Sequence, residues 1–241
     1  MTDSSAEISP AANAAEALSS EARRVARERD IPIAQAEIIA RADTLHALGQ
    51  FAEAEALYGQ VLEYDPYESI TLNQLGVLKI NTGDPASGAT FIRRALAGEP
   101  NAPEYHYNLG VALTQLGQFD EAATAFDRAL ELNPQNANAC NNLGAMLQLQ
   151  GHHDAALAAF LTAIKLDPEH SGAYSNLGAL LLEQGNAEDA RTILEQALRL
   201  NPNDARSWDN LGQILAASGE SEQAAQCQAN AATIRAHQAA H

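Results

Sequence analysis

The chain has 241 residues, of which 46% are hydrophobic and 19% charged, and its 31 Asp and Glu residues outnumber 14 Lys and Arg residues. The formal net charge of −17 repels phosphate-rich partners, which argues against nucleic acid as a ligand. No run of about 18 apolar residues occurs and the N-terminus MTDSSAEISP is polar and acidic, so neither a membrane-spanning helix nor a secretory signal is predicted.

The N-terminal segment is predicted to have two parts. Residues 1–9 are small and polar, which predicts a disordered tail. Ser9 and Pro10 then offer an N-cap and a first-turn proline, and a thin apolar stripe that includes Ala22 and Ala26 follows. We therefore predict that residues 10–34 form a helix that caps the fold that follows.

Two series of residues recur at a strict interval of 34 positions. The prolines are Pro66, Pro100, Pro134, Pro168 and Pro202, and the glycines are Gly49, Gly83, Gly117, Gly151, Gly185 and Gly219. A unit of this length cannot enclose a core of its own, so it buries its apolar side against the units before and after it. The predicted array has six units, followed by a tail at 239–241: 35–68, 69–102, 103–136, 137–170, 171–204 and 205–238.

Residues 103–136 represent the pattern of one unit. Apolar residues with helical spacing run to Leu116, and Gly117 supplies the left-handed residue that ends a helix. A second helix is predicted from about Asp120 to Asn133, where Pro134 stops it. Each unit is thus a predicted helical hairpin, and the chain is a predicted all-α solenoid.

Small residues recur where the two helices of a unit must approach most closely. They are Gly110 with Ala122, Gly144 with Ala156, Gly178 with Ala190 and Gly212 with Ala224. Four places after the alanine, the large residues Tyr58, Phe126, Phe160 and Leu194 are predicted to fill the gap towards the neighbouring unit. The second unit departs from this pattern, because Gly88 replaces the alanine and Pro85 opens the helix.

The pattern NLG, a glycine, DEA or DAA, and then LELNP or KLDP resembles the tetratricopeptide repeat. The resemblance covers all six units and implies a right-handed superhelical α-solenoid. In the sixth unit Gln228 stands where the large residue belongs and Ala236 where the proline belongs. Loss of these contacts is typical of a terminal unit, so we expect the array to end there.

The sequence offers no convincing catalytic or cofactor site. His152 and His153 share a turn with Asp154, but adjacent turn residues rarely converge on one metal ion. Cys140 and Cys227 form no CxxC pair, which favours buried core thiols in a reducing compartment. We therefore predict a protein that is not an enzyme and has no metal or cofactor.

In proteins of this family the first helices of successive units line the concave side. The resemblance implies a ladder of amides there, which either grips the backbone of a peptide or ties neighbouring helices together. The groove residues that it implies include no lysine or arginine, which argues against the acidic chaperone tails that some family members bind. The predicted peptide-binding residues are Asn73, Gln74, Val77, Tyr107, Asn108, Val111, Asn141, Asn142, Leu149, Ser175, Asn176, Leu182 and Asn210.

The function that follows is a non-catalytic protein–protein interaction module: an adaptor, scaffold or chaperone-like holder of a partner's peptide or helix. Two alternatives stay open. A self-assembling scaffold would make the protein a homo-oligomer. A separate substrate-recruiting subunit of a transferase would fit the similarity to the repeat region of O-linked N-acetylglucosamine transferases. We expect a cytoplasmic location, and the high alanine and low lysine content indicates a bacterial source.

Overall fold

A computed structural model describes Ala22, Ala26 and residues 32–239 of the chain. Within 32–239 the chain is helical, without strands. Outside the described residues lie the predicted tail at 1–9, most of the predicted helix at 10–34, and residues 240–241. The helices of this range are α1 (Ile33–Ala47), α2 (Phe51–Tyr64), α3 (Ser69–Asn81), α4 (Pro85–Gly98), α5 (Pro103–Gln115), α6 (Phe119–Leu132), α7 (Ala137–Leu149), α8 (His153–Leu166), α9 (Ser171–Glu183), α10 (Ala187–Leu200), α11 (Ala205–Ala217) and α12 (Ser221–Ala239).

The helices fall into two compact units, Met1–Leu116 and Gly117–His241. In the first unit α1 packs on α2 and α3 on α4, and in the second α7 packs on α8, α9 on α10 and α11 on α12. Each pair also contacts the next pair of its own unit. This repeated pairing confirms the predicted all-α class, whereas the exact repeat boundaries stay a prediction.

The turn inside each hairpin is set by its glycine. All six predicted helix-ending glycines have positive φ, between 72° and 83°, which is the left-handed region that a side chain disfavours. At Gly151 the amide donates to the Gln148 carbonyl at 2.9 Å, and the His152 amide donates to the Leu147 carbonyl at 2.9 Å. This pattern satisfies carbonyls at the end of α7 that have no partner inside the helix.

The residue before four of the five regularly spaced prolines, all except Pro100, also has a structural role. The side chains of Asp65, Asn133, Asp167 and Asn201 each accept a hydrogen bond from the backbone amide two residues later, at 3.0–3.2 Å. Such Asx turns hold the chain in a bend that excludes a continuing helix. The Asp-Pro and Asn-Pro pairs therefore set where one hairpin ends and the next begins.

The large residues four places after the packing alanine are completely buried: Tyr58, Phe126, Phe160 and Leu194 each have 0% exposure. Phe160 shares a core cluster with Leu177 and Leu180 of α9, which confirms that it fills the gap towards the next pair. It also covers its own pair, because a Cβ on Gly144 would lie 2.7 Å from Phe160 Cε1. The prediction had identified only the first of these two contacts.

The second pair, α3 and α4, departs from the pattern because its two helices approach unusually closely. A Cβ on Gly88 would lie 2.9 Å from the Gly76 carbonyl oxygen and 2.7 Å from Ile80 Cγ1. A Cβ on Gly76 would lie 3.0 Å from the Gly88 carbonyl oxygen. Because α3 and α4 approach this closely, neither position has room for a side chain, and the alanine that the other repeats carry at the place of Gly88 does not fit.

The structure modifies two local expectations and agrees with a third. Leu116 was predicted on the buried face of α5, but it is the C-cap residue and 38% of it is exposed. The next helix begins at Phe119 and not at Asp120. Ala22 and Ala26 are helical and buried, in a cluster that also contains Ile39 and Val61.

Candidate functional site

The first helices of successive pairs lie beside one another within each unit. In the first unit α1 contacts α3 and α3 contacts α5, and in the second α7 contacts α9 and α9 contacts α11. We call each such surface the first-helix face of its unit. All predicted site residues lie on these helices, from Asn73 on α3 to Asn210 on α11.

Three of the predicted site residues are buried between neighbouring first helices. Asn73 is 1% exposed, Asn141 is 8% and Ser175 is 4%. In the first unit, Asn108 Nδ2 donates to Asn73 Oδ1 at 3.0 Å and so links α5 to α3. Asn73 therefore presents almost no surface to a ligand and acts as the acceptor that anchors Asn108.

The second unit repeats this link and extends it. Asn176 Nδ2 donates to Asn141 Oδ1 at 2.8 Å, which ties α9 to α7, and Asn141 Nδ2 donates to Asn142 Oδ1 at 3.2 Å. Arg206 of α11 donates in turn to Asn176 Oδ1. Of the two roles considered for the amide ladder, these contacts favour structural bracing for the pairs that are hydrogen-bonded.

A hydroxyl pair continues the bracing between α9 and α11. The Oγ atoms of Ser207 and Ser175 lie 2.8 Å apart, and Ser207 Oγ donates to Asp204 Oδ2 at 2.6 Å. Burial alone would raise the pKa of the Asp204 carboxyl, but hydrogen bonds from Ser175 and Ser207 outweigh it and lower that pKa. Sequence reasoning missed Asp204 and Ser207, although their Asp-x-x-Ser spacing at a helix start is a capping signal.

Replacing Asn141 with alanine should lower the free energy of unfolding by about 0.5–1.5 kcal/mol, since Asn176 Nδ2 loses its acceptor. Chemical denaturation followed by Trp208 fluorescence measures the change, because Trp208 is the chain's only tryptophan and lies in the same unit. Asn138→Ala on the exposed side of α7 is the matched control and should have little effect. Equal losses in the two variants would contradict the bracing role.

The other predicted residues of the first-helix faces keep part of their surface open. Val111 packs against a core cluster of the first unit that contains Leu72 and Tyr105, and Leu182 packs against the cluster of Ala190, Leu194 and Ile214. Packing against the core thus holds each of these two side chains in place, and the other side of each is exposed to solvent. The half-buried set is Gln74, Val77, Tyr107, Asn108, Val111, Asn142, Asn176, Leu182 and Asn210.

Leu149 differs from that set, because 62% of it is exposed at the end of α7. It borders a cleft of about 580 Å³ that is also lined by Gly117, Gln118, Phe119, Asp120, Glu121 and Gln150. Phe119, at the start of α6, is itself 40% exposed. The predicted site does not include this cleft, although a large apolar residue at the start of a helix, Phe119, is a signal for it in the sequence.

No group of three or more His, Cys, Asp and Glu side chains within the described part of the chain could hold a metal ion. Both cysteines are buried with free thiols, and burial raises the pKa of each thiol. His106 Nε2 hydrogen-bonds to the Pro100 carbonyl oxygen at 2.9 Å. Among the described helices, none is both long and apolar enough to cross a membrane.

The arrangement within each unit defines a class: helix pairs stacked in series, with a partly exposed face built from their first helices. Family models described as tetratricopeptide repeat match residues 45–109, 147–214 and 181–232, with further matches at 103–136 and 125–158. The chain belongs to the tetratricopeptide repeat family. It is therefore built as a protein-interaction module, as the sequence analysis predicted.

Solved structures of similar proteins support the fold. MamA is 27% identical, with a TM-score of 0.61 over 68% of this chain and 96% of that one. YrrB, described as a TPR protein with an unusual peptide-binding site, is 24% identical, with a TM-score of 0.61 over 78% and 96%. PilF of Pseudomonas aeruginosa is 19% identical, with a TM-score of 0.72 over 80% and 88%. No protein of curated function matches the sequence.

Proposed function

We propose that the protein is a non-catalytic adaptor that holds a peptide segment of a partner on a first-helix face. The observation that carries the proposal is the mixture of half-buried apolar and amide side chains there, such as Val77 and Val111 beside Gln74 and Asn108. Apolar side chains scattered singly over a surface are ordinary, but Val77 and Val111 lie on neighbouring first helices, and grouped apolar residues on one face are typical of an interaction site. The peptide-binding site in the printed description of YrrB supports the same use of the fold.

Energetics favour the apolar side chains over the amides as the source of affinity. An amide hydrogen bond contributes about 0.5–1.5 kcal/mol net. Asn108 is already engaged with Asn73, so its share is smaller still. Ordering a flexible peptide offsets several such bonds, which leaves the apolar contacts to decide the affinity, and we expect it to be micromolar or weaker.

The test is a peptide selected from a displayed random library against the wild-type protein. Val111→Glu should weaken its binding about tenfold or more, because a charge would be brought onto the apolar contact, and Asn108→Ala should weaken it less. Val111→Thr keeps the shape of the side chain and guards against a loss that comes from misfolding. Gln115→Glu adds the same charge at an exposed place near the end of α5 and should leave binding unchanged.

A selected peptide that binds Val111→Glu and the matching Val77→Glu as tightly as wild type would exclude the face of the first unit. A peptide that also binds Leu182→Glu as tightly as wild type would exclude the face of the second unit, and the two results together would overturn the proposal.

The cellular setting is part of the proposal. Two buried cysteines that stay unpaired support a reducing compartment, hence the cytoplasm. The excess of carboxylates supports a protein partner over nucleic acid. The alanine-rich, lysine-poor composition supports a bacterial source.

A further inference from the structure

We propose a second binding site, separate from the first-helix faces, at the cleft between the start of α6 and the end of α7. Its occupant is a basic peptide segment of another protein, in which a lysine or arginine neighbours a large apolar residue. The cleft is lined by Gly117–Glu121 together with Leu149 and Gln150, all within the second unit.

The apolar part of the cleft has no counterpart at the matching places of the repeat. Two large apolar side chains meet there, Phe119 at 40% and Leu149 at 62% exposure. The matching pairs of residues, 34 positions apart in each series, are Phe51 with Asn81, Pro85 with Gln115, His153 with Glu183, and Ala187 with Ala217. Since the fold accepts polar or small residues at these places, packing does not require Phe119 and Leu149 to be apolar together.

The charged part of the cleft favours a positively charged ligand. Asp120 and Glu121 are the ionisable residues of its lining, and both are carboxylates. Gln150 Nε2 donates to Asp120 Oδ1 at 2.8 Å, which fixes one carboxylate at the rim without neutralising it. A cationic side chain placed here gains from the Asp120 carboxylate, and the net charge of −17 steers basic segments towards the protein.

Apolar contact and charge together define the occupant. An acidic or phosphorylated segment would meet a like charge at Asp120, which costs affinity. A purely basic segment would leave Phe119 and Leu149 in water. Only a segment with both features uses the whole cleft.

Fluorescence anisotropy with three labelled peptides of equal length tests the site. One peptide alternates lysine and leucine, the second alternates glutamate and leucine, and the third alternates lysine and serine. The first should bind, and raising the ionic strength should weaken its binding because the carboxylates are exposed to screening. The second and third should bind at least about tenfold more weakly, since each lacks one of the two contributions.

Variants of the full chain locate the binding. Leu149→Gln introduces the residue that the fold already accepts at 115, and it should weaken the lysine–leucine peptide about tenfold. Asp120→Asn keeps the shape of the side chain. It should weaken the binding of the lysine–leucine peptide less than Leu149→Gln does, and it should also reduce the salt dependence of that binding. Leu161→Gln is the matched control, since Leu161 is 50% exposed on α8 outside the cleft.

Unchanged binding in Leu149→Gln, equal loss in Leu161→Gln, or equal binding of the lysine–serine peptide would each overturn the inference. Val111→Glu separates the two proposals, because it should weaken peptide binding on the first-helix face of the other unit and leave the binding of the lysine–leucine peptide unchanged. A lysine–leucine peptide that responds to Val111→Glu and not to Leu149→Gln would assign the interaction to the first-helix face and exclude the cleft.

Discussion

Replacing Phe160 with alanine will lower the free energy of unfolding of the second unit by about 3–5 kcal/mol. The ring has 0% exposure and lies in one cluster with Ala156, Leu177 and Leu180. It also covers Gly144, which has no side chain that could move into the space left by the ring. Truncation therefore opens a cavity between two pairs and inside one pair, and neither wall can close it.

Urea denaturation followed by the fluorescence of Trp208 measures this loss, since Trp208 lies in the same unit. Leu161→Ala is the control: the neighbouring residue in sequence is 50% exposed, and its truncation should cost well under half as much. A loss for Phe160→Ala no larger than that of Leu161→Ala would contradict the structural role of the ring.

The turns of this fold follow directly from its sequence. A glycine every 34 positions predicts six left-handed turns, and each predicted glycine has positive φ. The Asp-Pro and Asn-Pro pairs are equally direct, because the Asx turn and the missing amide of proline act within three residues. These interactions join residues that are only a few positions apart, so their spacing in the sequence is enough to predict the turns.

Contacts between pairs are less accessible to such reasoning. The pattern placed Phe160 against the next pair, but its second contact with Gly144 depends on how closely α7 and α8 approach. In the sequence Gly88 is an unexplained departure from the pattern. Only the distance from a Cβ at Gly88 to the Gly76 carbonyl oxygen shows that alanine does not fit there. Both facts depend on interhelical distances, which a one-dimensional period does not contain.

The candidate site illustrates the same limit. The sequence identified the row of amides and left two roles open, because Asn at a first-helix position can turn towards a ligand or towards the next helix. Hydrogen bonds of 2.8–3.0 Å from Asn176 to Asn141 and from Asn108 to Asn73 favour the second role for those pairs. The position of Leu149 in its 34-residue repeat places it in the predicted groove. The cleft that it forms with Phe119 depends on how the helices pack and is seen only in the structure.

A single methyl group added at Gly76 tests the closeness of the first unit's helices. Gly76→Ala should lower the free energy of unfolding by about 1–3 kcal/mol, because the new Cβ would lie 2.5 Å from Ile92 Cγ1 and 3.0 Å from the Gly88 carbonyl oxygen. The isoleucine can change rotamer, but the carbonyl belongs to α4 and moves only with that helix. Thermal unfolding followed by far-UV circular dichroism measures the effect.

Gly59→Ala is the opposite case within the same unit and makes the test decisive. Gly59 lies inside α2, and a Cβ there meets nothing within 4 Å. This substitution should raise the free energy of unfolding by about 0.5–1 kcal/mol, since alanine loses less backbone entropy in a helix. The two glycines are thus expected to respond with opposite signs to one identical change. If Gly76→Ala were stabilising as well, helix propensity would outweigh packing, and the close approach of α3 and α4 would not constrain the fold.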